Sequence, residues 1–286
     1  MKVLVAVLLY PPPRVAERRS IESIEKLVWN DTMDIVYFAG DNPLEHPLDN
    51  IVYKHNQARE LVLKEGYDAV LFVEADIIVP ANALQMLARV PADVAYGLYA
   101  SRHHGMLLCF PTIDKFSGAS ISASPNHFRS RWGQILPSEG VGFGCTLVHR
   151  RVLEKIHFRR DEEYGRKRGF ADDWFFAMDV KANGFKSAHH LGVECGHIGQ
   201  DGSVRWPDVH APQLYRIDGG SKMNETQPEA TPFYNGEYIV TRQIWHPGEN
   251  RYYKRGERIT LTADKASILY RKKAIELIQS EQTKGE

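Results

Sequence analysis

Cysteine is scarce in this chain: three in 286 residues, Cys109, Cys145 and Cys195, with no C-x-x-C pair. That excludes a disulfide-framed scaffold and a cysteine zinc site, and it suits a reducing compartment. Net charge is lacking too, 36 basic residues against 36 acidic. No general attraction to nucleic acid or to an acidic membrane surface is therefore implied. No uncharged stretch approaches the roughly 20 residues that span a bilayer. The apolar run of "MKVLVAVLLYPPPR" stops at Tyr10 against three prolines. It has neither the longer core nor the small-residue cleavage site of a signal peptide. These absences leave a cytoplasmic protein as the expectation, with no internal repeat.

What is present is ordinary soluble usage, 43% hydrophobic and 25% charged. The length suits one large domain, or a domain of about 200 residues with a small module. Up to residue 100 strand and helix patterns alternate. "KVLVAVLLY", "MDIVYFAG", "DAVLFVEAD" and "ADVAYGLYAS" read as strands. "RRSIESIEKLVW" carries Ile21, Ile24, Leu27 and Val28 at helical spacing, and "ANALQMLARV" follows Pro80 as a helix. "NQARELVLKEG" reads as a helix that Asn56 caps and Gly66 closes. Such alternation predicts an α/β domain with a mostly parallel sheet and helices on both faces. Ligands of open sheets bind at the carboxyl ends of the strands.

Later segments are less regular. Residues 103–140 are rich in Gly, Ser and Pro and suit short strands in a substrate-shaping insertion. "GVGFGCTLVHRRVLEKI" gives a glycine-rich turn, a strand and a helix. "FADDWFFAMDVKANGF" gives a helix that Asp172 begins and Gly184 closes, and "KSAHHLGVECGHIG" a late strand. Residues 199–234 read as a linker. We set a main domain at 1–225 and a small appended β-rich module at 226–286.

The chemistry concentrates in "LFVEADIIVP", residues 71–80. Glu74 and Asp76 are two apart on a strand and share one face. Two like charges held there are costly unless a cation or ligand offsets them.

The order of these signals resembles the nucleotide-sugar glycosyltransferases of the GT-A fold, of the family 2 kind. The residues that carry the resemblance are Asp41 after the second strand, Asn56-x-x-Arg59, "EAD", "YGLYASR", "GVGFGCTLVHRRVLEKI", "ADDWFF" and "CGHIG". It covers residues 1–200 and implies a Rossmann-like, mostly parallel mixed sheet flanked by helices. It also implies a hexosyltransferase that moves a sugar from a nucleoside-diphosphate sugar to a hydroxyl acceptor. In the family, the acids of an Asp-x-Asp motif hold Mn²⁺ or Mg²⁺ against the donor diphosphate. By that resemblance Asp76 is the regular metal ligand and Glu74 stands in place of the first aspartate. Glu74 then contacts metal, a metal-bound water or ribose, and His197 is a further ligand. The resemblance places the catalytic base in the acid pair, Asp173 first and Asp172 second. It places donor recognition at Tyr10, Pro11 and Asp41, with Arg59 at phosphate, and lets Gly142 and Gly144 bring backbone close to a sugar. "YKRGERITLTADKA" near the end is similar to small modules of phage-associated proteins. The competing expectation is a non-catalytic nucleotide- or carbohydrate-binding protein with a decayed site. A sugar-phosphate nucleotidylyltransferase fits less well, because "YPPPRVAERR" holds no glycine for a phosphate loop. The His189, His190, Cys195, His197 spacing fits no usual zinc pattern.

Overall fold

A computed structural model describes residues 1–9, 17–38, 44, 47–101, 106–113, 120–121, 124–140, 142–160, 172–218, 236–240, 243–246, 251–261 and 275–277. The chain opens with β1 (Val3–Leu8), α1 (Glu17–Ile24), β2 (Met33–Phe38), α2 (Pro47–Glu65) and β3 (Ala69–Glu74). The short β4 (Ile77–Ile78), α3 (Ala83–Leu87) and β5 (Val94–Leu98) follow. A ribbon of β6 (Thr112–Ile113) and β7 (Ser120–Ile121) leads to α4 (Pro125–Ser130) and β8 (Ile135–Pro137). Next come β9 (Cys145–His149), α5 (Arg150–Leu153), α6 (Asp172–Ala182), β10 (Ser187–Glu194) and β11 (Gly196–Ile198). The later strands are β12 (Val204–Pro207), β13 (Tyr215–Asp218), β14 (Gly236–Val240), β15 (Ile244–His246), β16 (Arg251–Tyr253), β17 (Arg258–Leu261) and β18 (Ile275–Leu277).

Nine strands form the main sheet in the order β16-β15-β2-β1-β3-β9-β5-β10-β8. β2, β1 and β3 are mutually parallel, as are β5 and β10, while β9 runs antiparallel between β3 and β5. The α/β class expected from the pattern is therefore present, with β9, β8 and β16 running against the other strands of the sheet. Alternation along the strands builds two apolar layers. Val3, Val5 and Val7 of β1 pack with Ile21 and Ile24 of α1, with Leu27 just beyond it, and with Leu84 and Leu87 of α3. Leu4, Ala6 and Leu8 face the other way, onto Leu61 and Val62 of α2, Leu153 of α5 and Phe176 of α6. Each strand is covered on both sides, which is why these segments read as continuous apolar runs. Among the described residues no helix is long and apolar enough to cross a membrane.

Local signals held at several points. Asp172 begins α6, and Gly66 (φ +69°) and Gly184 (φ +75°) end α2 and α6 in the left-handed conformation. Asn56 is different: α2 starts at Pro47, so Asn56 lies in its interior rather than at its cap. Its amide instead pairs with a distant backbone, Nδ2 donating to Phe158 O (2.8 Å) and Oδ1 accepting from Phe158 N–H (3.0 Å). Residues 199–218 are not a linker, since β12 and β13 extend an antiparallel sheet ordered β13-β12-β11-β4. Of the region expected as a separate module, β15 and β16 join the main sheet beside β2, and β17-β14-β18 form a small sheet of their own.

Replacing Asn56 by Ala leaves the Phe158 donor and acceptor without these partners in a part-buried place. Urea unfolding of Asn56→Ala is expected to show a loss of about 2 kcal/mol. An unchanged midpoint would refute this clamp.

Candidate active site

The carboxyl ends of β1, β3, β5 and β10 lie along one edge of the main sheet, together with the amino end of the reversed β9. At that edge β3 ends on Glu74 and the chain continues directly into β4. Ala75, Ile77 and Val79 are buried in the apolar layer that packs on α1 and α3. Glu74 and Asp76, in alternate positions, are only partly buried. Two serines of α1 brace the turn: Ser20 Oγ donates to Glu74 O (3.4 Å), and Ser23 Oγ accepts from Val79 N–H (3.0 Å).

β11 pairs antiparallel with β4, placing His197 opposite Ile77, and Ile198 N–H donates to Asp76 O (2.9 Å). One ligand atom each from Glu74, Asp76 and His197 lies within 4.8 Å of the others. The imidazole is buried and its Nδ1 lies 2.8 Å from Ala100 O. A carbonyl only accepts, so Nδ1 carries the hydrogen, and Nε2 is the ring nitrogen left to face the acids. That Nε2 stands 3.7 Å from Asp76 Oδ2. Two carboxylates and one imidazole form an oxygen–nitrogen donor set that fits Mn²⁺ better than Mg²⁺.

On the opposite face of the sheet, α6 brings the acid pair. Asp172 is buried, and its Oδ2 accepts from His55 Nδ1 at 2.5 Å. Asp173 is partly buried, with Oδ1 accepting from Trp174 N–H (2.7 Å). Burial, and then the neighbouring Asp172 charge, push the Asp173 carboxyl up to about 6. The two acids are thus in different situations: one is held by an imidazole, and the other is more basic than an ordinary aspartate.

Tyr99, just past β5, stands between the two groups. Its ring meets His197 edge-on (5.6 Å between centroids, 76° between planes). Its hydroxyl accepts from Gly144 N–H (3.2 Å) and is held well above the usual phenol range by burial and by the Glu74, Asp173 and Asp76 carboxylates. This residue was not anticipated. Its sequence signal was indirect, because Gly142-x-Gly144 leaves room for a large neighbour. A Cβ at Gly142 would collide with Tyr99 Oη, and one at Gly144 would lie 2.6 Å from Cζ. The glycines expected to admit a sugar are filled by this ring.

Arg59 does not reach the cluster. Burial draws its guanidinium down, and Nε donates to Leu153 O (2.7 Å) and Ile156 O (2.9 Å), tying α2 to the end of α5. Its Nε is therefore committed to backbone carbonyls. Lys54, buried beside it on α2, donates to Leu9 O (2.5 Å) and fixes the end of β1. Tyr10, Pro11 and Asp41 lie outside the described residues.

No protein-family model matches the chain, and no curated protein matches it. Among solved structures it is similar to A197 from STIV, at 14% identity and TM-score 0.48, over 79% of this chain and 100% of that one. It is similar to GalNAc-T7 with UDP, GalNAc and Mn²⁺, at 13% identity and TM-score 0.44, over 68% of this chain and 43% of that one. A third is S. aureus TarS 1-349 in complex with UDP, at 16% identity and TM-score 0.37, over 66% of this chain and 57% of that one. The chain spans less than two thirds of the length of the last two. The architecture itself is a mixed α/β sheet with Glu74 at the carboxyl end of β3.

Adding a methyl group at Gly144 drives it into the Tyr99 ring. Gly144→Ala is expected to lose about 1–3 kcal/mol by overpacking, and Tyr99→Leu in the same chain to recover part of that loss. Strictly additive effects in denaturant titrations would deny the contact.

Proposed function

We propose that the chain is a metal-dependent glycosyltransferase of the hexosyltransferase type, moving a sugar from a nucleoside-diphosphate sugar to a hydroxyl acceptor. The observation that carries this reading is the meeting of Glu74 and Asp76, at the end of β3, with His197 of β11, their ligand atoms within 4.8 Å of one another. Asp76 and the Nε2 of His197 would hold the cation, with Glu74 completing the set or holding a water on it. When bound, a divalent cation supplies Lewis-acid stabilisation of charge on the departing diphosphate.

Asp173 does the proton work. Its carboxylate takes the proton of the acceptor hydroxyl as that oxygen bonds to the anomeric carbon. The bond from that carbon to the diphosphate oxygen breaks, and the nucleoside diphosphate leaves with the electron pair. A base poised at about 6 is ionised at neutral pH yet more basic than an ordinary aspartate. Asp172 is committed to His55 and so keeps its geometry rather than receiving the proton. Tyr10, Pro11 and Asp41 remain our assignment for the donor base and ribose.

The test is nucleoside diphosphate release from UDP-, GDP-, dTDP- and ADP-sugars with and without Mn²⁺, with candidate sugar alcohols as acceptors. Wild type is expected to release one nucleotide in a Mn²⁺-dependent way, and Asp76→Ala to lose that release. Turnover indifferent to Mn²⁺ and to Asp76→Ala would sink the reading. Asp173→Asn should lower kcat for transfer by roughly 10²–10⁴-fold while nucleotide still binds.

The pH dependence has a defined sign. The folded chain binds the Asp173 proton more tightly than the unfolded chain does, since 3.8 rises to about 6. This group's contribution to stability is therefore full below pH 3.8 and lost as pH rises through about 6. Activity runs the other way: kcat is expected to climb through a limb near pH 6, and that limb should vanish in Asp173→Asn. A profile flat between pH 5 and 7 would count against Asp173 as the base.

A further inference from the structure

We infer that His55 is a positioning residue for Asp173: buried on α2, it grips Asp172 and so fixes the first turn of α6, from which Asp173 presents its carboxylate. The inference deepens the transferase reading and rests on Asp173 as the base. The His55 Nδ1 to Asp172 Oδ2 distance is 2.5 Å, between side chains each 4% exposed. Because a carboxylate only accepts, Nδ1 carries the hydrogen and donates it. An Asp that merely capped α6 would turn to that helix's own N–H groups. This one reaches a residue 117 positions earlier in the chain.

The imidazole has little freedom to leave. Phe158 stacks on it at 4.8 Å, Phe143 lies tilted at 4.7 Å and Phe72 meets it edge-on at 5.0 Å. These rings come from the parts that carry the rest of the site. Phe72 is two residues before Glu74, Phe143 sits between Gly142 and Gly144, and Phe158 is the residue whose backbone Asn56 holds. In a close-packed interior, moving the imidazole would require moving them.

Successive residues of a helix are related by a fixed turn of about 100°. Holding Asp172 therefore sets the direction of Asp173. Asp172 in turn cannot swing away without abandoning a buried carboxylate to apolar surroundings. A shift of about 1 Å in a reacting group can cost on the order of a hundredfold in rate, which is the scale on which such a grip matters.

The test compares wild type, His55→Phe and His55→Asn on the full chain, by Mn²⁺-dependent release and transfer from the preferred donor. His55→Phe fills the aromatic box but donates nothing to Asp172. Its kcat is expected to fall roughly 10–100-fold, with KM for the donor and Mn²⁺ half-saturation retained and a lower thermal midpoint, because Asp172 is left buried without its donor. His55→Asn places an amide N–H near where Nδ1 was and is expected to regain most of the lost kcat. A fully active His55→Phe overturns the inference. So does a His55→Asn as slow as His55→Phe, which would mean the imidazole itself takes the proton. Equal losses in KM and in Mn²⁺ half-saturation also overturn it, since they mark general damage. Should His55→Phe fail to fold, His55→Asn against wild type decides: retained kcat supports the grip, and lost kcat overturns it. A wild-type chain that turns over no donor sinks the transferase reading and this inference together. An active wild type with a fully active His55→Phe sinks this inference alone.

Discussion

Two carboxylates on one face at the end of β3 are the constraint around which the molecule is arranged. Ala75, Ile77 and Val79 are drawn into the apolar layer over α1 and α3, and alternation then leaves Glu74 and Asp76 no choice but to share the other side. Like charges so placed repel, and burial weakens the water that would screen them. The fold does not relieve this with a second apolar layer. It brings the Nε2 of His197 against the acids by pairing β11 with β4. The three side chains together form an oxygen–nitrogen donor set of the kind that could hold a divalent cation without a thiol.

The second acid group reaches the same edge from the opposite face of the sheet, and the two halves meet through Tyr99. The ring presses on His197, its hydroxyl takes the Gly144 N–H, and the carboxylates of both halves act on that hydroxyl. Gly144 O in turn accepts from Glu74 N–H (3.2 Å), closing the circuit through the start of β9. The metal-ligand candidates and the candidate base, Asp173, are thereby carried on strands and a helix end. Such support matters because catalytic groups act only when held in place.

Much of the secondary structure was legible because both sides of the sheet are covered. Covered strands such as β1 and β3 appear as apolar runs, and Gly66 and Gly184 announce the helix ends they close. Asn56 misled because a residue that favours caps also serves wherever backbone must be paired at a distance, and no local rule separates the two uses. Residues 199–218 misled because β12 and β13 are short, polar strands whose stability comes from the neighbours they pair with. Arg59 was expected at phosphate from the family resemblance. Its actual partners, the carbonyls of Leu153 and Ile156, lie almost a hundred residues away.

The sequence by itself determined the α/β class, the two-residue spacing that puts Glu74 beside Asp76, and the adjacency of Asp172 and Asp173. These follow from periods of a few residues, which chain geometry enforces whatever the rest of the molecule does. Only the tertiary structure decided that His197 closes the acid pair, that Tyr99 fills the space the glycines leave, and that Asp172 and Asp173 part company. Asp172 is met by an imidazole from α2, while burial, and then the Asp172 charge, push Asp173 up to about 6. Contacts between residues far apart in sequence depend on where whole elements pack, and no local pattern encodes that.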